Sequence, residues 1–174
     1  MKSVLYNPLV SVIVPSYNHA SFLIESLNSV ISQTHKNLEI IVVDDGSKDN
    51  TRHLVSNFND NRIKYIWQHN QGLSAARNKG INVANGSLIV FLDADDRLLS
   101  NHITMGILSL RMFPNVGFVC GDIKLFGETK DFQHIHNCSP SPDHYASLLR
   151  GCFIVNIASS LFYKETLVEV GGFN

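Results

Sequence analysis

The chain lacks the marks of several common protein classes. Its three cysteines, Cys120, Cys138 and Cys152, are too few and too scattered for a disulfide framework or a four-cysteine zinc site. An odd count suits a reducing compartment, and cytoplasm is the expected location. Basic charge is not in surplus: 14 Lys and Arg stand against 15 Asp and Glu, a formal net charge of -1. That argues against nucleic acid, since a duplex-binding domain usually carries a basic surplus to displace counterions, and no basic run is present to grip anionic lipid. The longest uninterrupted apolar run, Leu88-Ile89-Val90-Phe91-Leu92, is far short of the ~20 residues that span a bilayer. Peripheral attachment at the inner face of a membrane leaves no such mark and is compatible with the sequence. Residues 1–8 carry no apolar core or small-residue cleavage site, so no secretory signal is expected. Neither a Gly-x-Gly-x-x-Gly nor a Gly-Lys-Ser/Thr phosphate loop occurs, which weighs against dinucleotide oxidoreductases and P-loop enzymes. What remains is 174 residues, 44% hydrophobic and 17% charged, enough for one domain with a real core.

The dominant pattern is an apolar β-branched run, a polar turn and an amphipathic helix, repeated. The first run, Leu9 to Val14, is ended by Pro15. Leu23, Leu27, Val30 and Ile31 then fall on one helical face, with Ser21 as N-cap. Leu38 to Val43 forms a second strand, and a short helix turns Leu54, Val55 and Phe58 inward. Ile63 to Trp67 reads as a third strand. Leu73, Ala76, Gly80, Ile81 and Ala84 again share one face of a helix. Asn85-Gly86 marks a turn before the apolar fourth strand, Leu88 to Leu92, whose composition suits a parallel strand buried on both faces. Residues 101–112 read as helix and Val116 to Cys120 as a fifth strand.

Strands alternating with helices imply βαβ units and a mostly parallel α/β sheet. The regularity fails from about residue 127, and 127–144 is expected to be a long loop. A short helix with Tyr145, Leu148 and Leu149 follows, then a strand from Ile157 to Tyr163. A last helix is stopped by Gly171-Gly172.

Two acidic clusters follow strands directly: Asp44-Asp45 after the second, Asp93-Ala94-Asp95-Asp96 after the fourth. Parallel strands deliver their C-terminal ends to one edge, where ligands bind, so these clusters can meet despite their separation in sequence. If the chain stays extended, Asp93 and Asp95 point to one side. Two carboxylates there suit a hard divalent cation, Mg²⁺ or Mn²⁺, whose remaining places are filled by water and substrate phosphates. The plainer alternative is a solvated turn that caps a helix, and Asp44-Asp45-Gly46-Ser47 has a similar one in turn chemistry. His134-x-His136-x-Cys138 alternates in a way that could bind a transition metal, but without a fourth ligand.

Four segments together support a stronger step. Val12-Ile13-Val14-Pro15-Ser16-Tyr17-Asn18, Val42-Val43-Asp44-Asp45-Gly46-Ser47-Lys48-Asp49-Asn50-Thr51, Asn70-Gln71-Gly72-Leu73-Ser74-Ala75-Ala76-Arg77-Asn78-Lys79-Gly80 and Phe91-Leu92-Asp93-Ala94-Asp95-Asp96 resemble glycosyltransferase family 2. They stand in that family's order and with its spacing. The resemblance is strong over residues 9 to about 100 and looser to Asn174. It implies a Rossmann-like GT-A fold, a nucleotide-sugar-binding half over 9–100 and the start of an acceptor-side half over 101–174.

Carried over by position, the Pro15-Ser16-Tyr17 loop lines the base and ribose pocket, with Asn18 beside it. Asp45 accepts from the base, most naturally the N3–H of uracil, because a carboxylate accepts and cannot donate. Asp44 is the lesser candidate for that role. Asp93 and Ala94 lie near the ribose and the metal, and Asp95 is the main metal ligand. Arg77 is a partner for phosphate or for one of these carboxylates.

The resemblance further implies inverting transfer from a nucleotide-diphosphate sugar, a uridine one above all, to a carbohydrate or lipid-linked hydroxyl in cell-envelope polysaccharide assembly. Family members place a catalytic carboxylate after the Gly-Gly-Phe-Asn segment, so the general base is expected beyond Asn174. Donor binding with little transfer is then expected of this chain. No other acid is well placed to substitute: Asp122, Glu128, Asp131 and Asp143 are candidates for the base only in principle and are expected to be solvated. The competing reading is a nucleotide-sugar-binding module without catalysis of its own. A phospho-receiver domain also gathers acids at a sheet edge, but it leaves the four-segment set unexplained.

Overall fold

The computed structural model describes residues 6–126, 135–136, 147, 154 and 156–174. Its frame is a six-stranded sheet in the order β3-β2-β1-β4-β8-β5. The strands are β1 (Val10–Ser16), β2 (Leu38–Asp44), β3 (Ile63–Trp67), β4 (Leu88–Phe91), β5 (Phe118–Cys120) and β8 (Ser160–Tyr163). The pairings β1–β2, β1–β4 and β2–β3 are parallel. β8 runs antiparallel to both its neighbours, β4 and β5, so five of the six strands point the same way and the sheet is mostly parallel, as expected, with β8 alone reversed. A small second sheet pairs β6 (Ile123–Lys124) with β7 (Ile135–His136).

Burial on both faces explains the β-branched runs. Even-numbered residues of β1, Val10, Val12 and Val14, pack with Leu23, Leu27 and Val30 of α1 (Ala20–Ile31) and Ile103, Ile107 and Leu110 of α4 (His102–Met112). Ile13, Ile41, Val43, Ile89 and Phe91 face the other way. They pack with Ala76 and Ile81 of α3 (Leu73–Val83) and Leu167 of α5 (Lys164–Glu169). A short helix, α2 (Thr51–Ser56), buries Val55 against the first cluster. The result is three layers, helix–sheet–helix, each side burying apolar area worth about 25 cal/mol per Å². Among the described residues no helix is long and apolar enough to cross a membrane.

Several boundaries differ from the sequence expectation. β1 does not end at Pro15 but runs through Ser16. Odd residues of β1 turn their backbone groups to β4, and that pairing finishes where Ile13 C=O accepts from Leu92 N–H. The missing N–H of Pro15 therefore faces a place where no ladder bond is due. Ser21 lies within the first turn of α1, behind the N-cap His19, whose side chain makes no capping bond. The capping acceptor comes instead from another loop, Asp49 Oδ2, which accepts from Ala20 N–H at 3.0 Å.

Leu73 is half exposed rather than inward. Ile157 belongs to a turn of 3-10 helix, Ile157–Ser159, that precedes β8. The double-glycine stop closes α5 as a Schellman motif: Gly172 N–H donates to Leu167 C=O and Gly171 N–H to Val168 C=O, both glycines at positive φ. The short helix at Tyr145, Leu148 and Leu149, the acids Glu128, Asp131 and Asp143, and the His134-x-His136-x-Cys138 side chains lie outside the described residues. Asp122 is exposed, as expected.

Candidate donor-binding cleft

From β1 the chain winds outward through β2 to β3, then returns to place β4 on the other flank of β1. Such a reversal leaves a crevice at the carboxyl ends of the strands. A cleft of about 420 Å³ opens there, walled by Pro15, Ser16 and Tyr17 at the end of β1, Asp45 just past β2, and Asp93, Ala94 and Asp95 in the turn after β4. Seven residues singled out from the sequence thus come together. Asn18 and Arg77 do not line it.

Asp44 and Asp45 divide their work. Asp44 is buried, taking Ser47 N–H on Oδ1 at 2.8 Å and the Tyr65 hydroxyl on Oδ2 at 2.5 Å. Burial first, and then that bond, push the Tyr65 phenol well above its ordinary range. Asp45 is also buried but lies on the cleft wall. Its Oδ1 accepts from Gln68 Nε2 at 2.7 Å and Gln71 N–H at 2.9 Å, and its Oδ2 from Gly72 N–H at 2.8 Å. Gly72 has φ +88°, a conformation that L side chains rarely adopt. The carboxylate is therefore held by the segment linking β3 to α3.

Asn18 is used elsewhere. It sits at φ 55°, its N–H donates to Ser47 Oγ at 3.0 Å, and its Oδ1 accepts from Lys48 N–H at 2.8 Å. Asn18 and Asp49 thus clamp the loop after β1 to the loop after β2. Burial pulls the Asp49 carboxyl upward, but bonds from Thr51 and Ala20 outweigh it and hold it below its ordinary value.

The extended chain on which the pairing of Asp93 and Asp95 is conditional does not form, although both residues still line the cleft. Asp96 N–H donates to Asp93 C=O at 2.9 Å, closing a turn at Ala94-Asp95. Asp95 stands exposed at the tip, while Asp93 turns to Arg77, whose Nη2 donates to both its carboxylate oxygens at 2.9 and 3.2 Å. Of the two partners expected for Arg77, the structure shows the carboxylate. Its guanidinium also lies over Phe173, 5.4 Å from the ring centroid. Asp96 is half-buried and held by Asn156 Nδ2 at 2.6 Å. Its carboxyl is raised, by burial first, then by the charges of Asp95 and Asp93, against the lowering effect of Asn156.

Two carboxylates make a partial oxygen set. Among the described residues no group of three or more His, Cys, Asp or Glu side chains is placed to hold a metal ion. That donor set still fits magnesium-type chemistry, in which one or two protein carboxylates share the ion with phosphates and water. Ser16 Oγ, on the same wall, is buried without a hydrogen-bond partner, and such a group calls for one. The sequence reading missed His19, Asn70, Gly72, Leu73 and Ala76 as lining and Gln68 as the support of Asp45. Only the Asn70–Ala76 part lay inside a recognised motif.

A doubly wound, mostly parallel sheet with a carboxylate-rimmed crevice at its reversal is the architecture of an α/β protein of the GT-A type. The comparisons agree. A mannosyltransferase from Pyrobaculum calidifontis, solved with GDP-Man and Mn²⁺, superposes with a TM-score of 0.72 at 26% identity, covering 98% of this chain and 48% of that one. S. aureus TarS 1-349 in complex with UDP-GlcNAc gives 0.75 at 24% identity, covering 92% and 47%; this likeness is one of fold. The family model for glycosyl transferase family 2 matches residues 11–163, and the chain belongs to that family of enzymes.

Among curated relatives, the Escherichia coli UDP-Glc:alpha-D-GlcNAc-diphosphoundecaprenol beta-1,3-glucosyltransferase WfgD is 37% identical over 147 residues, 84% of this chain and 57% of that protein. Glycosyltransferase GlyA of Streptococcus pneumoniae serotype 4 is 45% identical over 101 residues, 57% of this chain and 14% of the relative. The chain spans about half or less of the length of most of these proteins.

Proposed function

We propose that the cleft binds a nucleotide-diphosphate sugar, with uridine as its nucleoside, and presents it for inverting transfer to a carbohydrate or lipid-linked hydroxyl. The observation that carries the reading is the Asp45 carboxylate, buried on the cleft wall and fixed by three donors from one loop. A carboxylate fixed there accepts an N–H from a base and repels an acceptor edge, which favours uracil over cytosine. Tyr17 and Pro15 supply surface for the ring and ribose, and Ser16 Oγ offers an unpaired polar group.

Asp95, with Asp93 beside it, would hold Mn²⁺ or Mg²⁺ on the opposite wall. A cation bound there would offset the charge that develops on the departing diphosphate. Arg77 neutralises Asp93 from behind, so the two acids need not repel each other when no ligand is present.

In the transfer itself, the acceptor oxygen bonds to the anomeric carbon while the bond from that carbon to the diphosphate oxygen breaks. The diphosphate leaves with the electron pair, and the acceptor proton passes to a general base. We assign no described residue to that last step. The named substrate of WfgD supports the acceptor class. Calorimetric titration of UDP with and without Mn²⁺ tests the donor reading. UDP binding is expected to need the cation and to fall at least tenfold in Asp95→Ala. Binding that ignores the metal and survives that substitution sinks the assignment.

A further inference from the structure

An ionised carboxylate offers roughly four acceptor places, two on each oxygen. On Asp45 the two places of Oδ1 are taken, by Gln68 Nε2 and by Gln71 N–H. Oδ2 has one taken, by Gly72 N–H. One place is left for a ligand. Two of these three donors are backbone groups fixed by the chain's path. The third is a side chain, Gln68, and so it alone can be changed without rebuilding the loop.

We propose that Gln68 is a specificity-determining residue that sets the cleft for a base with one N–H donor on its pairing edge, uracil, and against guanine. The inference rests on the reading of Asp45 as the acceptor for the base. Uracil offers N3–H between two carbonyls, and a single open place on a carboxylate satisfies it. Guanine offers N1–H and an amino N–H side by side, and a carboxylate meets both only with a place open on each oxygen. With Oδ1 saturated by Gln68 and Gln71, the second guanine donor is buried without an acceptor. A site built around a hydrogen bond rejects a ligand that leaves a buried polar group unpaired, by far more than it rejects a misfit of size.

The orientation of Gln68 is fixed by chemistry as well as by position. Only the NH₂ end of its amide is attracted to a carboxylate oxygen. Its backbone N–H donates to Asp44 C=O at 2.9 Å, which continues the β2–β3 ladder one residue past Trp67. The fold does not by itself dictate the base, since a structural neighbour of the same fold was solved with GDP-Man. The discriminating element then has to lie in side chains such as this one.

The test is calorimetry of UDP and GDP, each with Mn²⁺, on the 174-residue chain and on Gln68→Leu, Gln68→Ala and Asp45→Asn. The unaltered chain is expected to prefer UDP by about tenfold or more. In Gln68→Leu the preference is expected to collapse to within about threefold, mainly through a gain in GDP affinity. Gln68→Ala, which asks less of the packing, is expected to move the same way.

A merely structural role for Gln68 would weaken both nucleotides alike and leave their ratio unmoved. An unmoved ratio, or equal affinities in the unaltered chain, overturns the inference while leaving the donor site standing. If Asp45→Asn binds UDP as well as the unaltered chain does, the base-acceptor reading fails and this inference fails with it.

Discussion

Arg77 grips Asp93 with one nitrogen on both carboxylate oxygens, at 2.9 and 3.2 Å, while its guanidinium lies over Phe173. One side chain therefore joins the acidic turn after β4 to the Gly-Gly-Phe-Asn segment after α5. Asn78, one residue on, ties α3 to the same segment, its Nδ2 donating to Phe173 C=O at 2.7 Å and its Oδ1 accepting from Phe173 N–H at 2.9 Å. Removing the guanidinium leaves Asp93 unpaired and uncovers Phe173. Arg77→Met is expected to cost about 2 kcal/mol in urea unfolding, below the ~3–5 kcal/mol of a fully buried pair because Asp93 keeps some solvent. Arg77→Lys is expected to recover less than half, since an ammonium lacks the planar face that stacks on an aromatic ring. A midpoint unchanged in both variants would show that the pair contributes nothing.

Gly80 lies where α3 crosses β1, and a Cβ there would collide with Ile13 Cγ2. Gly80→Ala gains about 1 kcal/mol of helix propensity. Overpacking against a fully buried strand costs about 1–3 kcal/mol, and the collision is expected to win. The melting temperature should therefore fall. In a double-mutant cycle, Gly80→Ala combined with Ile13→Ala is expected to be less destabilised than the sum of the two. Strict additivity would mean that the two groups do not meet.

Gln33 is fully buried and polar, and it ties the end of α1 to the start of α4. Its Nε2 donates to Leu99 C=O at 2.7 Å and Ser29 C=O at 3.1 Å, and its Oε1 accepts from Ile103 N–H at 3.2 Å. Gln33→Leu keeps the bulk and strands Ile103 N–H, while Leu99 C=O keeps the His102 N–H and Ser29 C=O the Ser32 hydroxyl, so a loss of about 1–3 kcal/mol is expected in denaturant unfolding. A loss below ~0.5 kcal/mol would show that water replaces the amide.

Stability is expected to fall on mild acidification. Burial pulls the His102 imidazole down to about 4, whereas in the unfolded chain it titrates near its ordinary ~6.5. Between those values the unfolded state binds the extra proton, so the contribution is complete above about pH 6.5 and is lost as pH falls toward 4. The full change is on the order of 3 kcal/mol. Glu39, Asp49 and Asp60, all held below their ordinary values, act in the same direction but only at lower pH. Urea midpoints at pH 7, 6 and 5 should decline, and His102→Phe should flatten that decline. An equal decline in the variant assigns the effect to other groups.

The sheet was legible because burial on both faces demands continuous apolar runs, and Ile40 to Val43 or Leu88 to Leu92 can be little else. Residues that act through local hydrogen bonds were harder to read. Pro15 looked like a terminator, yet its lost donor falls beyond the reach of β4. Asp93 and Asp95 looked like an extended pair, but the bond from Asp96 N–H folds them into a turn. Asp49 caps α1 across a gap of 29 residues, which no local pattern announces. Gln33 and Gln68 carry no motif at all. A glutamine signals nothing by type, and what each does depends on which backbone groups the fold brings to its amide.

The grip of the 68–72 segment on Asp45 also has a kinetic meaning. The acceptor is set before any nucleotide arrives, so binding a base orders no side chain there and incurs little of the usual entropic penalty. Different nucleotides are then expected to enter the cleft at similar rates, with encounter rather than rearrangement as the slow event. What separates them is how long each one stays.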